Sequence, residues 1–284
     1  MPVYHQRMLR AAAIVLAGGR SSRMGSPKAA LEWHGSTLLR RVTGIVSRAV
    51  DGPVIVVRAP GQELPELDPV IELVADAREG RGPLQGLAAG LEALDGRADV
   101  AYVSSTDVPL LHPAFVRRVV ETFSDDVDVV LPDIRGYRQP LAAAYRVGLL
   151  EIVDELIAAD RLKPAFLFER CRVLRVTDEV MLRNGALARL DPQLESVSNL
   201  NEPADYERAY TLPAPGIRVE RFGTLAPRSE PRRQTVGAWT LGEVAAQIGL
   251  TLDEHVVAAL NGDQITREPQ VPLAAGDTVA FMAA

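Results

Sequence analysis

Short apolar runs alternate with helical repeats through the first two hundred residues. The runs at 13–16, 54–57, 71–74, 100–104, 127–131 and 142–145 have the length and β-branched content of buried strands. Between them, apolar side chains recur every three or four residues. One set is Leu38, Val42, Ile45, Val46 and Ala49, and a second is Leu84, Leu87, Ala88 and Leu91. Val116, Val119, Val120 and Phe123 repeat the spacing, as do Leu149, Val153, Leu156 and Ile157. Such spacing puts each set on one face of a helix. The βαβα order predicts an α/β fold, a Rossmann-like, mostly parallel sheet with helices on both faces. In sheets of this kind ligands bind beyond the carboxyl ends of the strands.

The pattern changes at Leu212-Pro213-Ala214-Pro215-Gly216, read as a stiff proline linker. It predicts two domains, 1–212 and 213–284. Beyond the linker, 217–225 reads as a strand, 241–248 as a short helix and 256–260 as another strand. Asn261-Gly262 is a hairpin signal, and Gly276-Asp277 leads into a last strand at 278–282. Together these predict a small α+β module. The stretch 226–233 is polar and carries no periodicity.

Composition narrows the classes. At 284 residues, 47% hydrophobic and 24% charged, the chain reads as a soluble globular protein. A net charge of −6 lacks the basic footprint of nucleic-acid binding, and no apolar stretch is long enough to span a membrane. Residues 1–10 lack the apolar core of a signal peptide and read as a loose arm. The single cysteine, Cys171, excludes a disulfide framework and suits a cytoplasmic protein. Cys171 itself reads as a small core residue rather than a nucleophile. Basic residues are almost all arginine, and the only lysines are Lys28 and Lys163.

That scarcity draws attention to the segment after the first strand, Leu16-Ala17-Gly18-Gly19, followed by Arg23 and Lys28. Gly18 and Gly19 permit a tight turn with N–H groups close to a ligand. Arg23 offers a planar fork for phosphate oxygens and Lys28 a compact charge. Asp107, after the strand at 100–104, stands where a carboxylate can hold Mg²⁺, or where it simply forms a turn. Gly82-Pro83-Leu84-Gln85-Gly86-Leu87 opens a helix in which Gly82 and Gly86 would let a nucleobase lie close, ordinary helix initiation being the alternative. Ser198-Asn199-Leu200-Asn201-Glu202-Pro203 brings two amides to one side of an extended segment. Asn201 then reaches the metal or an acceptor, or caps the helix that follows.

In this order the motifs resemble the nucleotidyltransferases of molybdenum-cofactor biosynthesis, and among them the molybdenum cofactor guanylyltransferases. LAGG…RMG…K, GPLQGL, the strand-end Asp-Val-Pro, Arg138-Gln139-Pro140-Leu141 and Asn-Leu-Asn-Glu-Pro carry the likeness, over residues 11–210. The resemblance implies a fold of the nucleotide-diphospho-sugar transferase type. It implies that Leu16, Ala17 and Gly18 contact the nucleotide, Lys28 its phosphates, and Asp76 the nucleoside. Asp107 is then the Mg²⁺ ligand, with Asn201 a second contact. The implied reaction takes GTP and the molybdopterin-bound molybdenum cofactor to the guanine dinucleotide form and pyrophosphate. Its attacking phosphate is already ionised, so the lack of an evident His–carboxylate pair fits. Two departures stand out: Pro27 where many relatives are acidic, and Arg58-Ala59 where some carry asparagine. Gly18-Gly19 and the GPLQG turn favour guanine over the cytidylyltransferases of the same pathway. A guanylyltransferase for another small phosphorylated acceptor and a non-catalytic nucleotide-binding scaffold are the other readings.

Residues 217–284 resemble the β-grasp sulfur carriers, the small subunit of molybdopterin synthase and its thiamine-pathway relative. The resemblance implies a helix at 241–248, a turn at Ala259-Leu260-Asn261-Gly262 and a last strand at 273–281. Those carriers end in Gly-Gly, whereas this sequence reads Met282-Ala283-Ala284. The expectation is therefore a module that docks on proteins of the molybdenum-cofactor pathway instead of carrying sulfur.

Overall fold

The computed structural model describes residues 9–18, 27–76, 81–226 and 233–284. Strand β1 (Ala11–Leu16) lies mid-sheet with every side chain buried. After it come a two-residue hairpin, β2 (Glu32–Trp33) and β3 (Ser36–Thr37), helix α1 (Leu38–Ser47), and strands β4 (Val54–Arg58) and β5 (Glu72–Ala75). Next are α2 (Pro83–Leu94), β6 (Val100–Ser105), α3 (Pro113–Glu121), β7 (Val129–Ile134), β8 (Tyr137–Arg138) and β9 (Ala142–Arg146). Then follow α4 (Leu150–Ala158), α5 (Pro164–Phe168), β10 (Val173–Thr177), α6 (Asp178–Leu182), α7 (Gly185–Leu190) and α8 (Pro203–Tyr210).

The main sheet runs β10-β7-β9-β6-β1-β4-β5, with β8 beside β7. Strand β1 pairs in parallel with both β4 and β6, so Leu16 stands opposite Val57 and Ser105. Only β9 and the short β8 run against the rest. The six runs read as strands are all strands, and the sheet is mixed but parallel-rich. Its helices cover both faces: Val42 and Ile45 of α1 pack with Phe115 of α3 on one, Leu87 and Leu91 of α2 with Val153 of α4 on the other. Each such burial is worth about 1.5–3 kcal/mol before entropy is counted.

Local chemistry starts these helices. Thr37 Oγ1 accepts the Arg40 N–H at 3.3 Å ahead of α1. Pro113 opens α3, and His112 Nδ1 accepts the Ala114 N–H at 3.0 Å. Among the described residues no helix is long and apolar enough to cross a membrane.

The remaining elements are β11 (Gly216–Arg221), β12 (Arg233–Gly237), α9 (Leu241–Gln247), β13 (Val256–Leu260), β14 (Gln264–Thr266) and β15 (Thr278–Ala283). They form a second sheet ordered β12-β11-β15-β13-β14, in which β11 and β15 are parallel and the other pairs antiparallel. Asn261 (φ +54°) and Gly262 (φ +90°) make the turn between β13 and β14. Two boundaries differ from expectation. The first strand stops at Arg221, and residues 273–277 form a turn rather than strand because Asp277 closes it, its carboxylate accepting the Ala274 N–H at 2.8 Å.

The proline linker does not hold the sheets apart. Pro215 O accepts the Ala238 N–H at 3.1 Å, and loops beside the second sheet, at Trp239 and at Pro272–Asp277, reach α1. Gly44, inside α1, makes this possible: a Cβ there would sit 2.6 Å from Pro272 Cγ. One turn on, Arg48 Nη1 pairs with Asp277 Oδ2 at 2.8 Å. We call this contact the seam.

Candidate active site

Parallel pairing of β1 and β6 brings their carboxyl ends side by side, and three distant segments meet at that rim. Lys28 opens a short 3₁₀ turn, Lys28–Ala30, and its Nζ donates to Asp107 Oδ2 at 2.8 Å and to the Leu200 carbonyl at 2.6 Å. Asp107 is braced in turn: Ser105 Oγ donates to its Oδ1 at 2.6 Å, and the Leu200 N–H donates to its main-chain oxygen at 2.8 Å. The Lys28 and Asp107 side chains are 20% and 17% exposed. Water still reaches both groups, so the pair lies between an open surface contact and a buried one, and a ligand has access to it. Ser105 and the Leu200 main chain complete the site, and the sequence reading had assigned neither. Ser105 is one of three hydroxyl residues in a row at 104–106, and a backbone carbonyl leaves no trace in composition.

The other candidates divide. Asp76 follows β5, two strands from β1, with its N–H donating to Arg58 O at 2.7 Å. It lies on the same edge of the sheet as Asp107, across β1 and β4. Gly82 is exposed at the start of α2 with φ +82°, and Pro83 beside it is half-buried. Leu84, by contrast, is fully buried in the core, so its side chain cannot face a ligand. Gly86 also points inward, where a Cβ would lie 3.1 Å from Leu16 Cδ2. The Leu16 side chain is core as well, leaving only its backbone at the rim. The N–H groups of Ala17 and Gly18 both donate to Val57 O, at 2.8 and 3.3 Å, and are thereby committed to the sheet. What Gly18 provides is close approach: its Cβ would be 3.3 Å from Ala59 N. Gly19 and Arg23 lie outside the described residues, as does most of the arm at 1–10.

Asn201 is exposed beside the rim, one residue past Leu200, and its N–H donates to Asp205 Oδ2 at 3.0 Å. The N-cap of α8 is Glu202, so Asn201 does not cap that helix. Among the described residues no group of three or more His, Cys, Asp or Glu side chains stands ready to cage an ion. A lone carboxylate with neighbouring oxygen donors suits a hard cation that completes its shell with phosphate and water. Cys171 is half-buried, and burial, with Asp128 adding to it, pushes its thiol up to about 11. It stays protonated and inert at neutral pH.

Comparison with known proteins places the fold in a family. A family model described as the MobA-like NTP transferase domain matches residues 13–173. A protein from Bacillus mycoides described as a probable molybdenum cofactor guanylyltransferase is 31% identical, over 62% of this chain and 88% of its own length. One from Mycobacterium avium with the same description is 39% identical, over 53% of this chain and 76% of its own. Among solved structures, molybdopterin-guanine dinucleotide biosynthesis protein A from Archaeoglobus fulgidus superposes with a TM-score of 0.56 at 23% identity. It covers 70% of this chain and 96% of its own.

Proposed function

This chain belongs to the MobA-like NTP transferase family, and from that membership we propose that it transfers GMP from GTP to the phosphate of molybdopterin-bound molybdenum cofactor, releasing pyrophosphate. The observation that carries the reading is the convergence of Lys28, Asp107 and Leu200 at one strand-end rim. A cation, a carboxylate and a backbone carbonyl meet there, with no His–carboxylate pair among the described residues. Nucleotidyl transfer from an ionised phosphate needs that much and no more.

An oxygen of the acceptor phosphate attacks the α-phosphorus of GTP. A new O–P bond forms, the bond from the α-phosphorus to the bridging oxygen breaks, and pyrophosphate leaves with the electron pair. The protein supplies alignment and charge stabilisation. Lys28 and Arg23 neutralise charge on the departing phosphates. The backbone at Leu16, Ala17, Gly18 and Gly19 borders the nucleotide, while Asp76, Gly82 and Pro83 border the nucleoside. The distance from β5 to β6 spans three interstrand spacings, on the order of 14 Å. Mg²⁺ is the divalent ion we assign to Asp107, with Asn201 beside it, and when bound it draws charge from the phosphate oxygens.

The domain boundary at 212/213 and a β-grasp assignment for the second sheet belong to the same reading. The assignment is supported by a strand order of second-first-fifth-third-fourth within that unit and a helix between its second and third strands. Docking on pathway proteins, and a place in the cytoplasm with the cofactor's other enzymes, follow as expectations. Pyrophosphate release with molybdopterin-bound molybdenum cofactor and a panel of GTP, CTP and ATP tests the function. GTP alone supports fast turnover if the reading holds, and faster turnover with CTP overturns it.

A further inference from the structure

Arg41 is out of place in α1 by ordinary patterning. It is 3% exposed, and it lies with Gly44 and Arg48 at i+3 and i+7 on the stripe that meets the second sheet. Its Nε donates to the Pro109 carbonyl. The rest of the fork reaches across the seam: Nη1 to Trp239 O at 3.4 Å, and Nη1 and Nη2 to Leu273 O at 3.3 Å. Its Cζ lies 4.8 Å from the centre of the Trp239 ring. The far end of the same loop is tied in a similar way. His112 Nδ1 accepts the Ala114 N–H, so the ring proton sits on Nε2, which donates to Ala275 O at 2.9 Å. Pro109 and His112 belong to the loop that begins at Asp107. Its near side is tied to the main domain through Leu200, and its far side to carbonyls of the second sheet through Arg41 and His112.

We propose that Arg41 is a positioning residue: with the second sheet docked, it fixes the Pro109 carbonyl and thereby sets where the Asp107 carboxylate stands against a nucleoside triphosphate and its metal. The second sheet is then a buttress for the nucleotide site, beyond any docking role. The Bacillus relative is aligned over 88% of its own length, and the remainder is too short to build such a sheet. Dependence on the buttress is thus a property of this chain. The kinetic part of the inference rests on the proposed transfer reaction, and the binding part does not.

Two full-length variants test it. Arg41→Lys keeps the charge but replaces a planar fork by a single donor group. Gly44→Ala adds a Cβ 2.6 Å from Pro272 Cγ at the seam while improving the intrinsic propensity of α1, so it retains its fold. For each, kcat and KM for GTP are measured, with thermal melting and Mn²⁺ binding in the presence of GTP by water-proton relaxation. Misplacement by a fraction of an ångström predicts a kcat about 10-fold lower for Arg41→Lys, a KM within about 2-fold, and Mn²⁺ binding weaker by about 3- to 10-fold. Gly44→Ala shifts the same quantities the same way by about 2- to 3-fold. A purely structural role would lower kcat with the folded fraction and leave Mn²⁺ affinity per folded molecule unchanged. Wild-type Mn²⁺ affinity in both variants overturns the proposal, and if Arg41→Lys fails to fold, Gly44→Ala decides alone. A wild type that binds Mn²⁺ with GTP but transfers nothing overturns the function and leaves the buttress to be judged on binding. No Mn²⁺ binding with GTP in the wild type overturns both.

Discussion

At the rim, Lys28 bonds among the described residues to the Asp107 carboxylate and the Leu200 carbonyl, with a fifth of its side chain exposed. At the seam, Arg41 is held by three carbonyls and an aromatic face, with 3% exposed. Both are cations among backbone oxygens, yet they are suited to opposite tasks. Water reaches the Lys28 pair, and in the proposed reaction a phosphate takes the place of Asp107. The Arg41 partners are neutral dipoles buried with it, and only the Trp239 carbonyl has a second donor, the Leu273 N–H at 2.8 Å. Burial pulls its guanidinium down to about 9, with Arg48 adding to the effect, and it remains charged at neutral pH. Exposure and the charge of the partner thus separate a group poised for a ligand from one that fixes a fold.

Four outcomes would break or sharpen that contrast. The largest is Asp107→Ala, which should cut pyrophosphate release by about 10³-fold while the protein stays folded, with a modest fall in melting temperature because Lys28 and Ser105 lose a partly buried partner. Next, Lys28→Ala should lower turnover by about 10²-fold, and Lys28→Arg should restore only part of it because a fork cannot take the place of a single ammonium between Asp107 and Leu200. At the seam the balance reverses. Arg41→Met takes the guanidinium from the Pro109 and Leu273 carbonyls, while the Trp239 carbonyl keeps the Leu273 N–H, and should cost about 2–4 kcal/mol in denaturant unfolding. The smallest effect concerns His112, whose pKa burial holds below the ordinary 6.5. As pH falls the unfolded chain takes up this proton first, so the contribution is complete above about pH 6.5 and is lost as pH drops toward the folded-state value. Replacing it by Asn, which can still accept the Ala114 N–H, should flatten the acid side of a melting-temperature profile.

Most of the main sheet was legible because its strands are short apolar runs and its helices carry clean stripes. Strand β10 was not. It lies at the sheet's edge with Leu174 and Arg175 exposed, so no alternation marks it. The β2–β3 and β7–β8 hairpins are too short to register, and β12 follows a stretch without pattern. At the site, Lys28 and Asp107 were visible as chemistry on separate strand ends. Their contact was not, since 79 residues of chain part them. Leu84 and Gly86 were misjudged because a turn motif does not say which of its members faces the core. The seam left a fainter mark: Arg41, Gly44 and Arg48 at i, i+3 and i+7, beside the apolar stripe of α1. Their partners are mostly carbonyls, which every residue carries.

Arg41 is also separated from its last acceptor in time. The carbonyl of Leu273 lies 232 residues further along the chain. At a synthesis rate of about 5–20 residues per second, the guanidinium waits roughly 10–50 s on the ribosome for it. Through that interval α1 presents a solvated cation on the face it will later bury, beside an uncovered Gly44. The main sheet can form early, but its seam face remains wet and unpaired until β15 is about to emerge. Maturation is therefore ordered from the first strand to the last, and a ribosome stalled before Leu273 would hold a chain whose α/β sheet is complete but whose Asp107 loop lacks its anchors beyond Pro109.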